Sequence, residues 1–135
     1  MKVLVCGGRT YEDQERLFMI LDAINAVRPI SVIVHGDAGK FYDYPDHLVN
    51  DEHVGFWVGA DKLASQWARE NAVPEKFYKP DWKQYGKKGG PIRNQQMLDD
   101  QHPDIVMAFP GGRGTKDMVT RAKAGGYKVH QVGET

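Results

Sequence analysis

The residues of this chain best suited to chemistry lie together in Pro110-Gly111-Gly112-Arg113-Gly114-Thr115, directly after the apolar run Ile105–Phe109 and at the start of a helical pattern. A strand, a glycine turn and a helix start in succession present backbone N–H groups to an anion. Gly111, Gly112 and Gly114 carry no Cβ to hold a phosphate away. Arg113 adds a fixed cation, and Thr115 a hydroxyl in the first helical turn. A second turn of this kind, Gly7-Gly8-Arg9, follows the first apolar run, Lys2–Cys6. Arg93 and Asn94 stand at a helix start after a glycine pair. An arginine there can clamp a phosphate bidentately, which lysine cannot imitate. The plainer alternative is that the glycines only shape turns and that Arg93 and Asn94 are solvated or capping groups.

His35 and Gly36 close the second apolar run and are secondary ligand candidates, since a lone histidine at a strand end is usually a structural hydrogen bonder. Asp61 is a further candidate, although at a helix start it also suits the helix dipole. Trp82 and Tyr85 offer ring faces to a base or a ribose, or else pack their loop onto the body.

Five short strands position these groups: Lys2–Cys6, Ile30–Val34, one within Pro74–Lys79 through Phe77 and Tyr78, Ile105–Phe109 and Tyr127–Val132. Helical spacing separates them. Leu17, Ile20, Leu21, Ile24 and Val27 form one stripe, with Asp13 as its cap; Ala60, Leu63, Ala64, Trp67 and Ala68 form another. A third helix opens at Pro91 after a loop over 81–89 and buries Met97 and Leu98, and a fourth turns Val119 and Ala122 inward. Alternating strands and helices predict a parallel, doubly wound α/β sheet with helices on both faces, whose ligands bind beyond the C-terminal strand ends at the switch point. Residues 38–58 fit neither pattern. They hold Phe41, Tyr42, Tyr44, Phe56 and Trp57, aromatic content suited to a lid over the crevice or a contact arm between subunits.

A chain of 135 residues supports one domain with a proper core. Its 18 basic and 18 acidic residues cancel, which disfavours nucleic-acid or membrane-surface binding. The single cysteine, Cys6, excludes an internal disulfide and suits a reduced, cytoplasmic setting. No export or membrane-spanning pattern is present at the N-terminus. Gly39-Lys40 is followed by Phe41, so it is no Walker A loop, and strand one lacks the GxGxxG fingerprint. His47, Asp51 and His53 match no strong metal signature, so neither metal nor cofactor is expected.

The ordered set Gly7-Gly8-Arg9, Gly90-Pro91-Ile92-Arg93-Asn94-Gln95-Gln96-Met97 and Pro110–Thr115 resembles the SLOG superfamily, within it the YspA/YpsA-related branch, over nearly the whole chain except about 38–58. The resemblance implies a Rossmann-like three-layer α/β/α fold with strand order 3-2-1-4-5 and a nucleotide or nucleotide-derived ligand, with an ADP-ribose relative among the choices. More distantly the chain is similar to Lonely Guy phosphoribohydrolases, whose signature resembles PGGxGTxxE and implies cleavage of an N-glycosidic bond. Here Met118 stands where that signature has its glutamate, and a thioether can neither move a proton nor stabilise an oxocarbenium ion. Asp117 is about 100° away around the helix. Nucleotide binding without cleavage is therefore the leading expectation. A nucleotide N-glycosidase is the second, and DNA binding, after DprA of the same superfamily, the third. A homo-oligomer is also compatible.

Overall fold

A computed structural model describes residues 1–45 and 54–133. Five strands form a parallel sheet in the order β5-β2-β1-β6-β7: β1 (Lys2–Cys6), β2 (Val32–His35), β5 (Glu75–Phe77), β6 (Ile105–Ala108) and β7 (Val129–Gln131). β1 sits at the centre, with Leu4 level with Val34 on one side and Val106 on the other. Counting only these five strands, this is the 3-2-1-4-5 order that the resemblance implies, and the architecture is a Rossmann-like three-layer α/β.

Each face of the sheet has its own core. α1 (Gln14–Val27) and α2 (Ala60–Glu70) cover one face, where Leu17, Leu21, Leu63 and Trp67 pack on Val3, Val5 and Ile33. α4 (Gly89–Gln101) and α5 (Arg113–Ala124) cover the other, where Met97, Leu98, Met118 and Val119 pack on Leu4, Val34 and Val106. Because β1 and β2 are covered on both faces, their apolar residues run on rather than alternate. Asp13 caps α1, its carboxylate accepting from the Arg16 N–H at 3.1 Å.

Three local differences from the sequence reading have simple causes. β2 begins two residues late and takes in His35, because a buried hydrogen-bonding site accepts the imidazole inside the sheet. The expected loop over 81–89 contains a short helix α3 (Trp82–Tyr85) and a 3-10 turn, started by the Asp81 carboxylate on the Gln84 N–H at 2.9 Å. α4 starts at Gly89 rather than Pro91, which leaves the proline still in the first turn, where its missing N–H costs nothing.

Residues 38–58 include an antiparallel hairpin, β3 (Lys40–Asp43) with β4 (Gly55–Val58), separate from the main sheet. Neither strand was legible as such, since aromatic residues occur on both faces and no polar–apolar alternation marks a core side. Phe41 lies opposite Trp57, and Tyr42 opposite Phe56. His47, Asp51 and His53 lie outside the described residues.

Candidate functional site

At the C-terminal edge of the sheet the two glycine turns are sewn together between β1 and β6, the switch point. The Phe109 N–H donates to the Cys6 carbonyl at 2.9 Å, and the Gly8 N–H to the Pro110 carbonyl at 2.9 Å. The Gly8 carbonyl accepts from Ala60 and Tyr11 N–H groups, at 3.1 and 3.2 Å, which ties the start of α2 to the same point.

Several glycines here are required by packing alone. A Cβ on Gly7 would lie 2.6 Å from that of Ala60 and 2.9 Å from that of Phe109. One on Gly8 would lie 3.0 Å from the Pro110 carbonyl oxygen, and one on Gly111 would strike the Thr115 hydroxyl and lie 2.6 Å from the Gly8 nitrogen. Gly112 and Gly114 are different. A Cβ at either would meet nothing within 4 Å, and neither has a positive φ. Gly112 is the N-cap of α5 and has no side chain to bond the first-turn N–H groups. Beside this uncapped end, the side chains of Arg9 and Arg113 are exposed, with no hydrogen bond or ion pair to any of the described residues. A groove of about 570 Å3 runs from Pro110, Gly111, Gly112 and Thr115 along α5 to Lys123, floored by Phe109 and Val132.

The remaining candidates form a second, adjoining cluster beneath β2. Arg93 donates through Nη1 to the carbonyls of Gly36 (2.6 Å) and Tyr78 (3.2 Å), and through Nε to the Asn94 Oδ1 at 3.1 Å. Gly36 is glycine because a Cβ would run into that guanidinium. Burial pulls the Arg93 guanidinium below its usual range, opposed by the nearby Asp61 and Asp37 carboxylates. Asp61 is buried and accepts the Ala38 N–H at 3.0 Å. Burial pushes its carboxyl up, and His35, the Ala38 N–H and Arg93 act against that rise. His35 is fully buried. Its Nδ1 accepts the Asp37 N–H at 3.0 Å, so Nε2 carries the proton given to Glu75 at 2.9 Å. Asn94 links the clusters, donating to the Gly114 carbonyl at 3.2 Å and to the Asp117 carboxylate at 3.0 Å.

Thus Gly7, Gly8, Pro110, Gly111 and Thr115 build one turn pair, with Arg9, Gly112, Arg113 and Gly114 open to solvent around it. His35, Gly36, Asp61, Arg93 and Asn94 build the scaffold next to it. Met118 is fully buried in the core, and Asp117 is held by Asn94 and by the Arg121 Nε at 2.9 Å. Sequence reasoning passed over Lys62, which bonds Asp37 at 2.7 Å and lies 4.3 Å from the Trp57 ring centroid, and Tyr11, whose buried hydroxyl makes no hydrogen bond among the described residues. Tyr11 had a weak signal, a tyrosine two residues beyond the first glycine turn. Lys62 had none, because its partners are 25 residues away and on the hairpin.

A family profile for the YspA, cpYpsA-related SLOG family matches residues 1–44, the segment that carries β1, the first glycine turn and β2. Gene 61 protein of Mycobacterium phage D29 is 30% identical over 142 aligned positions, which span 98% of this chain and 97% of the phage protein. The chain belongs to the YspA, cpYpsA-related SLOG family. For this SLOG protein the aligned region extends past the profile's segment to cover nearly the whole chain. No helix among the described residues is long and apolar enough to cross a membrane.

Proposed function

We propose that this protein binds a nucleotide-type ligand with its phosphate seated on the Gly112–Thr115 turn. The observation that carries this reading is the contrast among the glycines. Gly7, Gly8, Gly36 and Gly111 are filled against by their own protein, whereas Gly112 and Gly114 face open space at an uncapped helix start. Gly114, inside the first helical turn, costs roughly 0.5–1 kcal/mol relative to alanine, whereas Gly112 is the N-cap, where glycine is well tolerated. With no internal contact to explain that cost, close approach of an external group does. The N–H groups of the turn, the helix dipole and the free Arg9 and Arg113 side chains then supply the donors and charge that a phosphate requires. SLOG membership is compatible with such a ligand.

Binding is favoured over N-glycosidic cleavage by where the carboxylates are. Asp117 is held by Asn94 and Arg121, Asp61 is buried against backbone N–H groups, and Asp37 is paired with Lys62 and Lys79. Met118 lies in the core, turned away from any ligand at the helix start. Titration calorimetry with AMP, ADP and ADP-ribose tests the reading, alongside chromatography for released adenine. Saturable binding that Gly112→Val removes, with no adenine formed, is expected. Failure of all three to bind at millimolar concentration refutes it, and steady adenine release would install the glycosidase in its place.

A further inference from the structure

We propose that this chain forms a two-fold dimer in which the β3–β4 hairpin of each copy docks on the β5–α3 edge of the other. A two-stranded hairpin is marginally stable at best on its own. This one carries Tyr42, Tyr44, Val54 and Phe56 on one face and Phe41 and Trp57 on the other, each between 38% and 50% exposed. The rings already pack on each other: Tyr42 on Phe56 at 5.7 Å, Tyr44 on Phe56 at 5.8 Å and Phe41 on Trp57 at 5.3 Å. They have organised a surface without covering it.

A second apolar patch stands on the same side of the molecule. β5 is the outer strand of the main sheet beside β2, the strand from which the hairpin departs, so one of its hydrogen-bonding edges is unpaired. Around it Phe77, Trp82, Tyr85 and Ile92 are between 36% and 55% exposed. Tyr85 and Ile92 also line a groove of about 240 Å3 between α3 and α4, large enough to take an aromatic ring. The Trp82 ring is fixed in place, backed against Gly89 and Gly90, where added Cβ atoms would lie 3.0 and 3.2 Å from it. An exposed aromatic arm and an aromatic-edged socket, whose groove also carries Lys79, Asp81, Gln84 and Arg93, are the parts of an isologous interface, in which the arm of each copy meets the socket of the other.

Area selects a second copy as the occupant. At roughly 200 Å2 per large aromatic side chain, the arm leaves on the order of 500 Å2 exposed and the socket on the order of 400 Å2. Seating only the Tyr42, Tyr44, Val54 and Phe56 face, about 330 Å2 of the arm, in the socket would bury roughly 1,400 Å2 in one reciprocal dimer, within the range of specific, stable interfaces. Packing that face of one hairpin on the same face of another would bury only about 650 Å2, well short of it. The formal net charge of zero leaves no repulsion between copies to oppose association.

Sedimentation velocity and light scattering on the full chain test this, with circular dichroism to confirm folding. Wild type should show twice the 15.2 kDa chain mass in a concentration-dependent way. An arm variant, Phe56→Glu, and a socket variant, Tyr85→Glu, should each be folded and monomeric alone. Mixed, they should form a heterodimer, because the arm of the second still meets the socket of the first. A socket variant that stays dimeric would mean arm–arm packing and overturn the proposal. A wild type monomeric at millimolar concentration would overturn it as well, leaving the two patches to a different protein.

Discussion

Replacing Gly114 with alanine should make the protein more stable and a poorer binder at once. The new methyl group meets nothing within 4 Å, so no packing strain opposes it. Alanine is favoured over glycine by roughly 0.5–1 kcal/mol in a helix, partly through a less disordered unfolded chain. For a chain of this size that corresponds to a rise in Tm of about 2–4 °C. The same methyl group stands where the proposed phosphate must approach. Losing one charge-assisted hydrogen bond costs roughly 1.5–3 kcal/mol, which weakens affinity by roughly 10- to 150-fold. Calorimetric melting without ligand and titration with the best-bound nucleotide measure both effects in the same preparation. A variant that is stabilised yet binds as wild type would refute the reading of the open glycines. A variant that is destabilised would refute the geometric premise.

Gly7→Ala is the opposing control. Its methyl group would lie 2.6 Å from the Ala60 Cβ, so chemical denaturation should show a loss of about 1–3 kcal/mol. Arg93→Ala should cost about 3 kcal/mol, because it strips the Gly36 and Tyr78 carbonyls of their donor and removes a buried cation from the neighbourhood of Asp61; urea melts measure the loss, and Arg93→Lys should recover only part of it. Glu75 supplies a pH signature. Burial acts to raise its carboxyl, but hydrogen bonds from His35 and Ser65 outweigh that and hold it below the ordinary glutamate value. A depressed carboxyl stabilises the fold above its unfolded value, and that share is lost as pH falls through the folded one. Glu75→Gln should therefore flatten the acid limb of stability against pH in urea melts from pH 6 to 3, while an unchanged slope would contradict the assignment.

The parallel sheet was legible because β1, β2 and β6 are covered on both faces and therefore read as continuous apolar runs, a pattern that survives without knowledge of neighbours. The two glycine turns were legible for a related reason, since each falls at the end of such a run. What set one glycine apart from the next was not. Gly111 and Gly112 are adjacent and identical in sequence, and only the distance from Gly111 to Gly8 shows that the first is a packing requirement. Arg93 reads equally well as a ligand clamp or a scaffold member until the Gly36 and Tyr78 carbonyls are placed beside it, 57 and 15 residues away in the chain. The hairpin was hidden by its own composition. Alternation betrays a strand only when one face is buried, and here Phe41, Tyr42, Phe56 and Trp57 are all partly exposed, whichever face they lie on.

Cys6 makes this fold its own reporter. The one thiol of the chain lies in the central strand, level with Ala108 on β6, and is 8% exposed. Burial, and then the nearby Asp61, push it well above the usual thiol range, so it is protonated and unreactive in the closed protein. The α4–α5 layer packs on this face of the sheet, so a thiol reagent reaches the sulfur fully only when that layer opens. The rate at which label is incorporated therefore clocks the opening of the layer that carries the second glycine turn. A nucleotide seated across the two turns, as proposed, should slow that clock without touching the sulfur, which makes labelling a readout of binding.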